Sequence, residues 1–171
     1  ENQSQIQELI QELGAVDHPY VSNAQKVGDM YAIGMDSVKL NNEGAAPILP
    51  QLEEIEAISN KEDVVLLMAK MGKYVSNPFF GFSVGPDRVN SSMNIAHLYQ
   101  SGIGMGDRDY YLLQDEHSEM LRGEYLKLME TQFQNAGYDE VVAKRAAANV
   151  MKIESELAES HISREMRRIP E

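Results

Sequence analysis

Four histidines, His18, His97, His117 and His161, are the side chains of this chain with most to offer a metal or a proton relay. Zinc hydrolysis leaves a compact signature, H-E-x-x-H on a helix, which sets two imidazoles one turn apart on one face with the glutamate between them as general base. No such run occurs: the four histidines are far apart and none is followed by glutamate. They read as surface or capping residues. A carboxylate-bridged di-iron bundle needs Glu three residues before His, and those positions hold Ala15, Asn94, Gln114 and Ala158. No stretch alternates Asp and Asn before a closing Glu as a calcium loop does, and no G-x-S-x-G elbow supports a serine triad.

One run superficially resembles a phosphate cradle, Gly102-Ile103-Gly104-Met105-Gly106. A cradle of that kind joins a strand to a helix whose N-terminus faces the anion. Asp107 and Asp109 follow immediately and would oppose a phosphate, so the run reads as a structural turn. Asp107-Arg108-Asp109 is expected to pin it through local ion pairs and backbone caps, with Tyr110 and Tyr111 as anchors. Gly104 and Gly106 are expected at positive φ or in crowded backbone, where a Cβ is costly.

The elements that position these residues are mainly helical. Ile6, Leu9, Ile10 and Leu13 repeat at helical spacing up to Gly14. Asp17-His18-Pro19 predicts the start of a helix of about 20 residues. Its apolar face carries Ala24, Val27, Tyr31, Met35 and Val38, and Asn41, Asn42 and Gly44 end it. Pro47 and Pro50 open a shorter helix with Ile48, Leu49, Leu52, Ile55 and Ile58 inward, and Asn60 caps another that buries Val64, Leu67, Met68 and Met71. The pattern changes at Asn77-Pro78: Phe80, Phe82 and Val84 alternate with small residues, and a second short strand runs from Met93 to Tyr99. Two further helices follow. The first starts at Asp115, turns Leu121, Tyr125, Leu128 and Gln132 to one side and stops at Gly137; the second, capped by Asp139, carries Val142, Ala146, Val150, Ile153 and Leu157. The expected fold is a mainly α, multi-helix domain with a small β-hairpin or ribbon inserted near residues 79–99.

Composition bounds the partners. A net charge of −12 argues against nucleic acid or an anionic membrane surface. Arg164, Arg167 and Arg168 are interrupted by Glu165 and preceded by Glu154, Glu156 and Glu159, which reads as a solvated face. The absence of cysteine removes disulfides and thiolate chemistry. No apolar run approaches the roughly 20 residues that cross a bilayer, and the first residues lack a signal peptide's basic and apolar regions. Both ends read as cuts in a longer polypeptide, the first inside a helix and the last on the connector Arg168-Ile169-Pro170-Glu171.

Gln100-Ser101-Gly102-Ile103-Gly104-Met105-Gly106-Asp107-Arg108-Asp109-Tyr110-Tyr111-Leu112 resembles the Q-x-G-L-G-L-P-D-R-D-Y-Y-L-like stretch of the neprilysin and endothelin-converting-enzyme family of zinc metallopeptidases, with Gly106 in place of its proline. Val27 to Tyr31 with Met35-Asp36, then Gly44, Pro47-Ile48 and Leu52, are similar to that family's early helix pair. Asp87 and Asn90 fit its ribbon. Ile153, Glu154, Leu157 and Ala158, then Arg164-Glu165, are similar to its I-E-x-x-L-A helix end and R-E pair. Gly34, where animal members have cysteine, points to a bacterial member.

The resemblance implies a two-lobed endopeptidase. A thermolysin-like lobe holds zinc, and a mainly helical lobe closes over a chamber that admits oligopeptides. Residues 1–171 match the helical, non-catalytic cover. No residue here is expected to be catalytic, cofactor-binding or metal-binding; the zinc belongs to the full-length parent. The implied partners are oligopeptide substrates and the catalytic lobe of the same chain, and the implied location is extracytoplasmic. The alternative is a free-standing acidic helical domain that binds a peptide or protein without catalysis.

Overall fold

The computed structural model describes residues 2–72 and 78–168. Asn77, where the sequence pattern changes, and Ile169-Pro170-Glu171 lie outside them. Among the described residues there are eight α-helices and a two-stranded sheet, and no helix is long and apolar enough to cross a membrane. The chain divides into two compact units, Glu1–Pro47 and Ile48–Glu171.

In the first unit, α1 (Asn2–Gly14) packs on α2 (Asn23–Met35), and α3 (Ser37–Glu43) follows. The helix expected to start at Asp17-His18-Pro19 begins four residues after the proline instead, because Ser22 accepts a hydrogen bond from Gln25 N at 3.1 Å and so caps the helix. Pro19 sits in the preceding turn, its carbonyl accepting from Ser22 N at 3.0 Å. The single long helix is also two, since Asp36 caps a fresh start by accepting from Lys39 N at 2.9 Å. The expected apolar face is largely open, with Met35 and Val38 exposed. The buried position is Gly28, which lets Leu13's carbonyl approach to where a side chain would begin.

A 3-10 turn (Ala46–Ile48) spans the boundary, and the second unit continues into α4 (Leu49–Glu56); Ile48, Leu49 and Ile55, expected inward, are exposed, while Leu52 and Ile58 are half-buried. In α5 (Lys61–Met71) Asn60 accepts from Asp63 N at 2.9 Å as expected, and Val64, Leu67, Met68 and Met71 are half-buried while Val65 and Leu66 face out.

The hairpin comprises β1 (Phe80–Pro86) and β2 (Asn94–Gln100), antiparallel, with Phe82 opposite Leu98 and Val84 opposite Ala96. β1 runs on through Gly85-Pro86. Side chains alternate across a sheet, and the sense here is the reverse of a buried apolar face: Phe82, Val84 and Leu98 are exposed, whereas the Tyr99 ring lies over Gly81 on the other face.

After a short α6 (Asp109–Leu112), α7 (Glu116–Asn135) and α8 (Glu140–Ser160) form the helical pair that carries the core. Asp115 and Asp139 cap them, accepting from Ser118 N at 3.0 Å and Val142 N at 2.8 Å, and Gly137 turns the chain between them with φ 98°. The deepest row of α8 is Ala143, Ala147 and Ala158, all fully buried. Leu128 and Ile153, expected in the core, are 53% and 48% exposed. Small residues bury a helix by letting its neighbour approach, so the contact seam follows the alanines and the larger side chains flank it.

Candidate functional site

The block Gln100–Leu112 forms a polar joint between the hairpin, the α7–α8 pair and the segment that leaves α8. Glu154, half-buried in α8, is its first centre. It accepts from the Tyr111 hydroxyl at 2.5 Å and Gly104 N at 3.1 Å through Oε2, and from the Tyr125 hydroxyl at 3.1 Å through Oε1. Tyr111, 5% exposed, also accepts from Met105 N at 3.0 Å. Burial first, and the Glu154 bond second, push the Tyr111 hydroxyl far above its ordinary pKa; burial and then the Glu154 charge push Tyr125 up to about 12. Both phenols therefore stay protonated donors at neutral pH. Gly104 lets the Tyr125 ring reach Glu154: a Cβ there would overlap that ring and its hydroxyl, whereas Gly106 meets the same expectation through φ 78° in open space.

Asp107, also 5% exposed, is the second centre. Its Oδ1 accepts from Asp109 N at 3.0 Å, and its Oδ2 pairs with Arg164 Nε and faces Arg167 Nη2 at 3.9 Å. The Asp109 N–H, aided by Arg164 and Arg167 and opposed by burial, holds the carboxyl below its ordinary value. The backbone cap expected here is present, but the ion pair reaches 57 residues along the chain rather than staying within Asp107-Arg108-Asp109. Arg108 instead donates to the Ala158 carbonyl at 3.2 Å. Tyr110 stacks edge-on against His117, and its carbonyl accepts from Arg122 Nη1 at 2.7 Å. Gln100 and Ile162 make a reciprocal pair at 3.2 and 2.9 Å, and His161 Nε2 lies 3.2 Å from the Ser101 carbonyl. A cleft of about 230 Å³ opens beside Asp107, Arg108, His161 and Arg167.

Each histidine is placed by a structural contact: His18 Nε2 lies 3.2 Å from Leu13 O, His97 Nε2 3.2 Å from Pro86 O, His117 meets Tyr110, and His161 meets Ser101. Among the described residues no three His, Asp or Glu side chains gather as metal ligands do. The donor set does not fit a zinc ion, which wants nitrogen or carboxylate ligands converging at about 2 Å. The carboxylates that sequence reasoning did not single out for a role here are Glu154 and, as an ion-pair partner of Arg164, Asp107. Their signal was faint: Glu154 falls on the α8 row that holds Ala147 and Ala158, a polar residue on a buried stripe.

A second cleft, of about 420 Å³ and mainly apolar, lies among Ile48, Leu52, Tyr125, Leu128, Phe133, Tyr138 and their neighbours. It contains the Leu128 side chain left open on α7.

The family model described as peptidase family M13 matches residues 1–171. Endothelin-converting enzyme 1 of Cavia porcellus is 27% identical over 176 residues, covering 98% of this chain and 22% of its own length. Endothelin-converting enzyme-like 1 of Rattus norvegicus is 33% identical over 98 residues, 57% of this chain. The Mycobacterium tuberculosis zinc metalloprotease ZMP1, solved in an open state and with an inhibitor, superposes with TM-scores of 0.77 and 0.78 at 23% identity, over 97% and 96% of this chain and about a quarter of its own. That likeness shows the shared fold. The chain spans about a fifth of the length of the curated relatives it matches.

Proposed function

Because the chain belongs to peptidase family M13, we propose that it is the helical covering part of a zinc-dependent metalloendopeptidase that hydrolyses oligopeptides. The parent holds the zinc and the catalytic groups on another lobe, and this part limits which substrates reach them. The observation that carries the non-catalytic reading is the state of the motif block itself. Three of its ionisable side chains are engaged in structural hydrogen bonds and ion pairs: Asp107 with Asp109 N and Arg164, Arg108 with the Ala158 carbonyl, Tyr111 with Glu154. Catalysis of peptide hydrolysis by zinc requires a Lewis acid and an activated water, and these residues supply neither. An extracytoplasmic setting and a bacterial source belong to the same proposal.

The experiment compares, in the full-length parent, cleavage of a short fluorogenic peptide with cleavage of a small unfolded protein. A size-limiting cover predicts that the peptide alone is cut. Equal digestion of both overturns the covering role. In parallel, elemental analysis of residues 1–171 is expected to find no stoichiometric zinc, and one tightly held zinc per chain would contradict the assignment.

The alternative, a free-standing domain that binds a peptide, is favoured by one feature, the apolar cleft around Leu52, Tyr125 and Leu128. The gene decides between them. An H-E-x-x-H downstream of Glu171 supports the covering part, and a stop codon soon after it supports the free domain.

A further inference from the structure

We propose that Asp107 is a latch: its buried carboxylate holds the segment from His161 to Arg167, by which the chain leaves α8, against the foot of the hairpin. Releasing it frees that segment and the end of β2 while α7 and α8 stay folded.

The segment's own structure is short, a 3-10 turn at Met166–Arg168, with Arg167 N bonded to Ser163 O at 3.1 Å and Met166 N to Ser163 Oγ at 3.3 Å. It is held in place by contacts with residues about 60 positions earlier: the Gln100–Ile162 pair, His161 on the Ser101 carbonyl, and Arg164 on Asp107. Gln100 is the last residue of β2, so the hairpin's foot and the exit from α8 share their fastenings. The two halves of the latch differ in freedom. Asp107 is 5% exposed and fixed through Oδ1 by Asp109 N, whereas the Arg164 and Arg167 side chains are 60% and 46% exposed.

A charge-assisted bond onto a fixed, desolvated acceptor is stronger than the same bond at a free surface. The charged and titratable groups around Asp107 are Arg164, Arg167, Arg108, Asp109 and His161. Arg108 is committed to the Ala158 carbonyl and His161 to Ser101, leaving the two arginines of the exit segment as the movable partners. Segments tied by a few polar contacts and no buried apolar surface open locally, below the threshold for global unfolding. The exit segment comes near that description, its apolar side chains Ile162 and Met166 being 51% and 55% exposed, and the Asp107 carboxylate is the charged acceptor among its fastenings.

Amide hydrogen exchange read by mass spectrometry on the chain tests this, in wild type, Asp107→Asn and Arg164→Gln. The reporters are the bonded amides of Ile162, Met166 and Arg167, with Leu98 to Gln100 for the hairpin foot and the middle of α7 and α8 as control. In both variants the exit amides are expected to exchange on the order of tenfold faster and the hairpin foot to follow, with the helix centres unchanged. Arg164→Gln alters a mostly exposed side chain, so it carries the test even if Asp107→Asn fails to fold. Unprotected exit amides in wild type, or unchanged exchange in Arg164→Gln, would overturn the latch. Loss of protection in α7 and α8 to the same extent would make Asp107 a part of the global fold instead.

Discussion

Replacing Glu154 by alanine removes the acceptor on which the Tyr111 hydroxyl, the Tyr125 hydroxyl and Gly104 N converge. The three donors do not lose equally. Tyr111 is 5% exposed, so its hydroxyl cannot turn to water and bears the full cost of an unmade bond, about 1–3 kcal/mol. Tyr125 is half-buried and Gly104 lies near the surface, where water replaces much of what is lost, at about 0.5 kcal/mol each. The expected loss is about 2–4 kcal/mol. For a chain of this size each kcal/mol lowers the melting temperature by roughly 2–4 °C, so helix melting followed by circular dichroism should fall by about 6–12 °C for a mid-range loss. Tyr111→Phe alone removes one bond to Glu154 and one from Met105 N. Combined with Glu154→Ala it removes the orphaned donor as well, so the double variant should be less destabilised than the sum of the singles by about 1 kcal/mol. Strict additivity, or a Glu154→Ala loss below about 0.5 kcal/mol, refutes the claim that Glu154 organises the joint.

Gly104→Val and Gly106→Val should each cost about 1–3 kcal/mol in chemical unfolding, for different reasons; Gly106→Asn should recover much of the loss, since asparagine tolerates positive φ, while Gly104→Asn should not, because its Cβ still meets Tyr125. Leu128→Ala and Ile153→Ala, at 53% and 48% exposure, should each cost under about 1 kcal/mol in this chain rather than the roughly 2–5 kcal/mol of a filled core. Ala147→Leu, at a fully buried position, should cost about 1–3 kcal/mol by overpacking. Asp107 has a native pKa below its ordinary value, so its contribution to stability is complete above the unfolded value of about 3.9 and is lost as pH falls through the native value. Acid titration of stability should therefore be shallower in Asp107→Asn, and an unchanged slope would contradict the assignment.

Local signals in the sequence were legible where one residue decides the outcome. Asn60, Asp115 and Asp139 start helices by accepting a backbone N–H three residues on, and Gly137 stops one by taking a positive φ. The hairpin followed from the alternation of Phe80, Phe82 and Val84. Asp36 shows the limit: inside an unbroken apolar period it offers a side-chain oxygen that ends one helix and begins another, and periodicity alone does not see it. Burial was legible only in part. The apolar pattern gives weight to large side chains, yet the α7–α8 seam runs along Ala143, Ala147 and Ala158, displacing Leu128 and Ile153 outward. The joint was recognised as a structural turn, but its fastenings were not, because Tyr111 to Glu154 and Asp107 to Arg164 join residues 43 and 57 positions apart. Such pairings arise from how elements pack, and no short window contains both partners.

The alanine seam has a thermal consequence. Among the described residues the buried apolar side chains are Tyr111, Met129 and three alanines, so unfolding this chain newly exposes less hydrocarbon than unfolding a chain with a filled core of large side chains. The heat-capacity increment of unfolding scales with that hydrocarbon and averages about 12–15 cal/mol/K per residue in globular proteins. Here it should fall well below that figure. A small increment flattens the dependence of stability on temperature: the chain should lose little on cooling, and its thermal transition should be broad rather than abrupt.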